Sequence, residues 1–117
     1  MVAAARTPEE LETLLEDAFV MRDRMEFGAL YDEGAVLAVR AGGPEARGGE
    51  AIGHAVAALW AADCTYVGET RRVLQVRDVA LVVGNDGVHV LRRATDGRWR
   101  VAISLLDVDT SIEQEDR

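Results

Sequence analysis

The chain has 117 residues, of which 49% are hydrophobic and 29% charged, a composition typical of a globular domain with its own hydrophobic core. Its 21 acidic and 13 basic side chains leave a formal net charge of −8. That charge argues against nucleic acid or an anionic membrane as the main partner, because both require a basic surface. We expect a single domain over residues 1–117 with an ordered core from about residue 7 to 108.

Cysteine usage and the absence of targeting patterns suggest a compartment. Cys64 is the only cysteine, so no intramolecular disulfide is expected and a cytoplasmic location is favoured. The first six residues are too short and too weakly apolar for a signal peptide, and no apolar run approaches the length of a membrane span. Neither metal-ligand spacing nor a phosphate-cradling glycine loop is present, so no metal and no cofactor are expected.

Three helices are predicted in the first half of the chain. The run Thr7-Pro8-Glu9-Glu10 combines an N-cap threonine, a proline suited to the first helical position and a capping-box glutamate. A short second helix is predicted to end near Gly34 and to carry Tyr31 in its last turn. A third helix is predicted from Glu50 to about Ala62, after a glycine-rich loop.

Strands dominate the second half of the chain, where no helical period survives. The predicted strands span residues 35–39, 65–76, 79–83, 88–93 and 98–108. Asn85-Asp86-Gly87 and Asp96-Gly97 supply tight turns between the last three. Because consecutive strands joined by short turns pair antiparallel, the element order predicts an α+β fold in which helices cover one face of a curved antiparallel sheet.

Two-residue loops at Asn85-Asp86 and Asp96-Gly97 would sort the last strands into two faces. A nearly all-aliphatic set is predicted to lie under the helices: Val79, Leu81, Val83, Val88, Val90, Arg92, Trp99, Val101, Ile103 and Leu105. A mixed set is predicted on the outer face, where it indicates a partner subunit: Ala80, Val82, His89, Leu91, Arg93, Arg100, Ala102, Ser104 and Leu106. A one-residue slip in either turn would reverse the assignments beyond it.

Three segments resemble a known family in their order and spacing. They are Phe27–Leu37, the helix entry Arg47–Ile52 and the hairpin Leu91–Ala102. Together they resemble nuclear-transport-factor-2-like (NTF2-like) domains over about residues 7–107, and the hairpin is similar to the SnoaL-like and SgcJ/EcaC-like branches. The resemblance implies a cone-shaped, cystatin-like sheet with N-terminal helices on its concave face, an apolar cavity and a homodimer formed through the outer sheet face.

The resemblance implies no single activity, because the superfamily includes isomerases, polyketide cyclases, dehydratases, epoxide hydrolases and non-enzymatic association domains. Ketosteroid-isomerase-like members use an acidic base near the first strand and a buried tyrosine. The predicted first strand, 35–39, contains no carboxylate, and the first helix offers Leu14, Leu15 and Ala18 where the tyrosine would be needed. Isomerase chemistry of that kind is therefore not expected.

Four polar residues are candidate acids or bases for proton transfer, and three of them have a structural alternative. They are His54, Asp63, Tyr66 and Asp107. His54 lies on the alanine side of the third helix, where it could instead be exposed. Asp63 could be a helix-end residue and Asp107 a surface strand end, whereas Tyr66 would line the pocket mouth.

Four further residues are predicted to line the ligand pocket: Tyr31, Trp60, Arg92 and Trp99. Tyr31 is alternatively a core aromatic with a hydrogen-bonded hydroxyl, and both tryptophans are predicted in the core or the cavity wall. Arg92 would hold an anionic ligand at the cavity edge, or else pair with Glu69 or Asp107. His89 is predicted to point outward, in an interface or on the surface.

Two functions remain open from the sequence. The first is a domain that binds a hydrophobic small molecule, with or without cyclisation, isomerisation or dehydration activity. The second is a non-catalytic dimeric association module that holds its partner through the mixed sheet face. A cavity with polar atoms pointing into it would favour the first function.

Overall fold

A computed structural model describes residues 4–40, 42–62, 70–85 and 87–107. These residues form three helices and six strands, and the predicted α+β class is confirmed. In chain order the elements are α1 (Pro8–Val20), α2 (Arg24–Ala29), β1 (Tyr31–Val39), β2 (Ala46–Arg47), α3 (Gly49–Ala61), β3 (Thr70–Val76), β4 (Val79–Gly84), β5 (Gly87–Arg93) and β6 (Trp99–Leu106). No helix in these ranges is both long and apolar enough to cross a membrane.

Local capping chemistry sets the first two helices. The hydroxyl of Thr7 accepts a hydrogen bond from the Glu10 backbone N–H at 3.1 Å, so the predicted start of α1 is confirmed. The Asp23 carboxylate caps α2 in the same way, accepting from the Glu26 N–H at 3.1 Å. However, α2 ends at Ala29 and Tyr31 begins β1. The prediction that Tyr31 closes a helix is wrong, because pairing with β6 draws this residue into the sheet.

The six strands form one curved sheet in the order β2-β1-β6-β5-β4-β3. The predicted antiparallel meander of the last four strands is confirmed for the described residues. The pair β1–β6 is parallel. In the strand order, β6 lies inside the sheet between β1 and β5. Side chains from three neighbouring strands can therefore meet over β6.

Two helices approach each other at backbone distance. A Cβ atom added to Gly28 would lie 2.2 Å from the carbonyl oxygen of Gly49, so only glycine fits at this crossing of α2 and α3. The glycine-rich entry to α3 is thus a packing requirement as well as a turn. The contact fixes the start of α3 against α2.

The face of the sheet that packs against the helices is the opposite of the predicted one. The inner face, toward the helices, carries buried side chains: Tyr31, Ala35, Leu37, Ala80, Val82, His89, Leu91, Trp99, Val101, Ser104 and Leu106. The outer face carries Leu74, Val76, Val79, Leu81, Val83, Val88, Val90, Arg92, Ile103 and Leu105. Most of the predicted aliphatic core therefore lies outside, and most of the mixed set lies inside.

A second difference lies in the last hairpin. Its loop has three residues, Thr95–Gly97, because the Ala94 N–H donates to the Arg98 carbonyl at 2.9 Å and Gly97 adopts a φ of 84°. A register shift between Val90 and Leu91 leaves Ala102 as an extra residue in β6. This bulge returns Ile103 to the predicted pairing with Val90. As a result Trp99 and Val101 face inward, whereas Ile103 and Leu105 face outward.

Candidate functional site

Three polar side chains on the inner face form a continuous hydrogen-bonded chain. The Tyr31 hydroxyl lies 2.7 Å from Ser104 Oγ, and Ser104 Oγ lies 2.6 Å from His89 Nδ1. Tyr31 is 5% exposed, and His89 and Ser104 are each 1% exposed. We call these three residues the polar relay.

Strand order explains why these residues meet. His89 on β5 and Ser104 on the central strand β6 are direct cross-strand partners. Tyr31 begins β1 on the other side of β6, and its ring packs against Phe27 with 5.5 Å between centroids. Since buried polar groups require partners, the hydroxyl of Ser104 allows a tyrosine and a histidine to coexist in a core that is otherwise apolar.

His89 and Ser104 are functional candidates that the sequence reasoning misses. The alternation of the strands places both on one face, but that face is predicted to point outward. Their direct pairing is nevertheless contained in the predicted register, in which residues 89 and 104 lie opposite each other. A histidine opposite a serine in adjacent strands is a signal for a cross-strand hydrogen bond.

Glu12 is a further buried polar residue that the sequence reasoning misses. It lies on α1, 7% exposed, although the helical pattern assigns it to a face away from the apolar stripe. Glutamate is seldom buried to this extent in a protein core. The interior therefore contains the carboxyl group of Glu12 in addition to the histidine and tyrosine of the polar relay.

Three of the four predicted pocket residues are buried in the core. Tyr31 belongs to the polar relay, and Trp60 on α3 is 6% exposed, with its ring 5.6 Å from that of Phe19. Trp99 is 2% exposed. Its backbone N–H donates to the Ala5 carbonyl at 2.9 Å, and the guanidinium of Arg93 lies 5.7 Å from its ring centroid. Trp99 is thus covered by the N-terminal segment and by a cation.

Arg92, the fourth predicted pocket residue, lies on the outer face. Its Nε and Nη2 donate to Oδ2 of Asp32 at 3.0 and 2.7 Å, and its side chain is 58% exposed. The prediction of a cavity-edge cation depended on the face assignment that the structure reverses. Asp32 belongs to β1, which begins four residues before the predicted start, but this carboxylate also points outward to Arg92.

The two predicted acid–base residues that the structure describes, His54 and Asp107, contact different arginines and not each other. His54 is exposed on α3, with its ring nitrogens 3.4 and 3.5 Å from Arg24 Nη1. Asp107 is a surface residue 3.0 Å from Arg40 Nη1. Asp63 and Tyr66 fall outside the described residues, as does Cys64.

A groove among the described residues is lined by neither Tyr31, His89 nor Ser104. It has a volume of about 450 Å³, opens to the surface between α2 and α3, and is lined by Arg24, Met25, Gly28, Ala29, Gly49, Glu50 and Gly53. Within the described ranges, no three His, Cys, Asp or Glu side chains are grouped closely enough to hold a metal ion.

Comparison with known proteins identifies the fold. No protein-family model and no curated protein matches the chain, but many solved structures do. A ketosteroid isomerase-like protein from Erwinia carotovora atroseptica aligns with a TM-score of 0.71 and 20% identity, covering 87% of this chain and 93% of that one. An NTF2-like protein with a cystatin-like fold from Novosphingobium aromaticivorans aligns with a TM-score of 0.62 and 19% identity, covering 91% and 83%.

A third similar structure comes from Thiobacillus denitrificans and is assigned as a calcium/calmodulin-dependent protein kinase type II association domain. It aligns with a TM-score of 0.72 and 16% identity, covering 92% of this chain and 98% of that one. The chain therefore has the NTF2-like, cystatin-like fold that the sequence resemblance predicts. At these identities the likeness concerns the fold, and the chemistry must be argued from the site.

Proposed function

We propose that this protein binds an apolar small molecule between its helices and the inner face of the sheet, and catalyses proton transfer on it. The observation that carries the proposal is the polar relay of Tyr31, Ser104 and His89. An apolar set of side chains would stabilise the core with fewer constraints. A connected histidine, serine and tyrosine in the interior instead suit proton transfer, because each of the three side chains can both donate and accept a hydrogen bond.

The relay can transfer a proton because its hydrogen bonds can run in two directions. In one direction the Tyr31 hydroxyl donates to Ser104, Ser104 donates to His89 Nδ1, and His89 carries its proton on Nε2. In the other, His89 Nδ1–H donates to Ser104, Ser104 donates to the Tyr31 oxygen, and the Tyr31 hydroxyl directs its own proton away from Ser104. His89 Nε2 then carries a lone pair in place of its proton. A proton taken up at Nε2 is therefore matched by one released at the tyrosine end. This is the requirement for moving hydrogen between two atoms of a ligand.

Several finer assignments belong to this proposal. Tyr31 and Trp60 remain pocket residues. His89, Ser104 and Glu12 are proposed for the acid–base roles in place of His54 and Asp107, whereas the sequence candidates Asp63 and Tyr66 lie outside the described residues. Trp99 is assigned to the core beneath Arg93. The SnoaL-like or SgcJ/EcaC-like branch, which the closing hairpin resembles, and a cytoplasmic location, which suits a chain with one cysteine, are consistent with such an activity.

Deuterium exchange into an apolar ketone tests this function without knowledge of the natural substrate. The probe is 2-tetralone, a bicyclic ketone with acidic C–H bonds next to its carbonyl. In D₂O the wild-type protein is expected to accelerate exchange at C1, followed by proton NMR. The variant His89→Asn is expected to lose roughly a hundredfold or more of this rate, because asparagine can bond Ser104 but cannot shuttle protons.

The second histidine provides the matched control for this test. His54→Gln changes an exposed imidazole on α3 and is expected to exchange at the wild-type rate. Tyr31→Phe keeps the ring and the His89–Ser104 bond but removes the far end of the relay, so it is expected to be slowed as well. A wild-type protein that does not exceed buffer, or a folded His89→Asn variant with the wild-type rate, would refute the proposal.

A second proposed function is self-association through the outer face, with or without catalysis. Five large apolar side chains are exposed there: Leu74 (48%), Val76 (73%), Val79 (48%), Ile103 (49%) and Leu105 (43%). Contiguous exposed apolar surface marks interaction sites, and the pair Arg92–Asp32 supplies a polar margin such as interfaces have. The similar Thiobacillus structure assigned as an association domain supports this reading. Sedimentation equilibrium tests it: a dimer is expected at micromolar concentration, and a monomer would contradict it.

A further inference from the structure

The groove between α2 and α3 exposes the backbone of both helices. Its volume of about 450 Å³ lies within the range of small-molecule sites. Gly28, Gly49 and Gly53 all line it, and a Cβ atom added to Gly53 would lie 2.7 Å from the Arg24 carbonyl oxygen. Because glycine has no side chain, a small molecule in the groove can approach the backbone closely.

Two opposite charges line this groove without pairing with each other. Arg24 is the first residue of α2 and Glu50 lies in the first turn of α3, and both are exposed. The ion pairs among the described residues do not include one between them. Nη1 of Arg24 instead lies 3.4 and 3.5 Å from the ring nitrogens of His54, a side chain with no negative charge. Each of the two charged groups can therefore bind an opposite charge that a ligand supplies.

Arg24 differs in this respect from the arginines on the strands and their loops. In the described part of the chain, six of those arginines lie 2.5–3.9 Å from a carboxylate oxygen: Arg40, Arg47, Arg92, Arg93, Arg98 and Arg100. The chain has 21 acidic and 13 basic side chains, so carboxylates are in excess. A shortage of acidic partners therefore does not explain why the groove arginine contacts a histidine.

An apolar wall lies beside these charges. Met25 is 76% exposed and Ala29 follows four residues later, so both lie on the same face of α2. Both side chains line the groove. Methionine is flexible and adapts to hydrocarbon groups of different shapes. The groove thus offers a cation, an anion and an apolar surface to one small molecule.

We propose that this groove binds a free α-amino acid with an apolar side chain. The carboxylate of the amino acid bonds the Arg24 guanidinium, its ammonium group lies against the Glu50 carboxylate, and its side chain packs on Met25 and Ala29. An α-amino acid carries both charges on one carbon atom, which suits two groups that line the same small groove. It is also neutral overall, so the net charge of −8 does not repel it as it would repel a simple carboxylate. The site shares no residue with the polar relay and is independent of the proposed function.

Three probes with the same hydrocarbon group separate the two charges. L-Leucine carries both charges, 4-methylpentanoate lacks the ammonium group, and 3-methylbutylamine lacks the carboxylate. In protein labelled with ¹⁵N, the backbone amide signals of Gly49 and Gly53 are expected to shift as L-leucine is raised to about 20 mM, because two exposed ion pairs support affinity in the millimolar range. Each of the other two probes is expected to bind roughly fivefold more weakly.

Two variants assign each charge of the ligand to its partner. In Glu50→Gln the preference for L-leucine over 4-methylpentanoate is expected to vanish, because the ammonium group has lost its partner. In Arg24→Gln the preference for L-leucine over 3-methylbutylamine is expected to vanish for the corresponding reason. Glu9→Gln, in the first turn of α1, and Arg40→Gln are the matched controls and should keep both preferences. Because Glu50 is exposed, its variant carries the test even if Arg24→Gln does not fold.

The outcomes decide the inference without reference to proton transfer. A saturable shift, both preferences in the wild type and the loss of the matching preference in each folded variant support it. It is overturned if L-leucine does not shift the two glycine signals, or if the three probes bind within about twofold of one another. A preference that survives in its own folded variant also overturns it, because the charge would then be recognised elsewhere.

Discussion

Each face of the sheet carries side chains that are unusual for a half-buried sheet. The inner face, which the helices cover, holds His89, Ser104 and Tyr31, each 5% exposed or less. The outer face holds mainly aliphatic side chains, several of them about half exposed. In an ordinary antiparallel sheet with one solvated face, apolar residues point in and polar residues point out. The two departures from this rule are therefore the three polar side chains in an otherwise apolar inner face and the exposed aliphatic side chains of the outer face.

The largest expected effect compares two valines of β4 that differ only in face. Val82 is 0% exposed on the inner face and Val79 is 48% exposed on the outer face. Val82→Asp places a carboxyl group in an apolar core and is expected to cost more than about 4 kcal/mol, enough to unfold the protein. Val79→Asp is expected to change the stability of the monomer by less than about 1 kcal/mol.

Urea denaturation followed by tryptophan fluorescence at low protein concentration measures both variants. Low concentration matters because a dimer would add its own association energy to the apparent stability. Similar losses of stability in the two variants would show that both faces are core, and the distinction between them would fail.

Self-association is the next largest effect. Ile103→Lys places a charge at an outer-face position that is 49% exposed, and is expected to weaken dimerisation by roughly a hundredfold or more, because the lysine would be buried without a partner. Sedimentation equilibrium measures the change. Ala58→Lys, on the exposed side of α3, adds the same charge away from the sheet and should leave association unchanged. Equal dimerisation of both variants would move the interface elsewhere.

The polar relay sets the third effect. Ser104→Ala removes the hydroxyl that links Tyr31 and His89, and is expected to lower the free energy of unfolding by about 2 kcal/mol, since two buried hydrogen bonds are lost. Thr13→Ala is the control, because the Thr13 hydroxyl bonds a backbone carbonyl on the exposed side of α1, and its loss should cost less than about 0.5 kcal/mol. Urea denaturation at pH 7 decides. A Ser104→Ala variant as stable as the wild type would mean that the relay contributes nothing to the core.

The parts of the fold that depend on local chemistry could be predicted from the sequence. The cap at Thr7 and Pro8 acts within one helical turn, and the pairing of Gly84 with Gly87 follows from a turn of adjacent residues. The end of the second helix could not be predicted in this way, because Tyr31 pairs with Val101 of β6, a strand far along the chain. Such a competition is decided by tertiary pairing, which no local pattern contains.

The choice of inner face could not be predicted from hydrophobicity. Strand alternation sorts residues into two sets, but it does not say which set meets the helices. Hydrophobicity assigns the more aliphatic set to the core, but Ile103 and Leu105 of that set face outward in the structure. The same assignment predicts His89 and Ser104 on the outer face and Arg92 on the inner face, whereas the structure has the reverse. Trp99 and Val101 do face inward as predicted, but only because the bulge at Ala102 turns them to the face opposite that of Ile103 and Leu105.

The smallest effect concerns the loop that precedes this bulge and helps to set which residues of β6 face inward. In that loop the Arg98 backbone N–H donates to Asp96 Oδ1 at 2.9 Å, and Arg100 Nη2 donates to Oδ2 at 3.3 Å. The Arg98 N–H, with a smaller contribution from Arg100, lowers the pKa of the Asp96 carboxyl below its ordinary value. A carboxyl whose pKa is lower in the folded state stabilises the fold above its ordinary pKa, and this contribution is lost as the pH falls through the folded-state pKa.

The variant Asp96→Asn removes this titration but keeps an oxygen that can accept from Arg98. It should be slightly less stable than the wild type at pH 7, and the two proteins should converge as the pH falls below about 4, where the carboxyl protonates. Thermal unfolding from pH 7 to 2.5 measures the difference. High salt screens Arg100 but not the backbone hydrogen bond, so most of the difference should persist in 1 M salt. If salt removed it entirely, the arginine and not the backbone N–H would hold the loop that turns Trp99 toward the inner face.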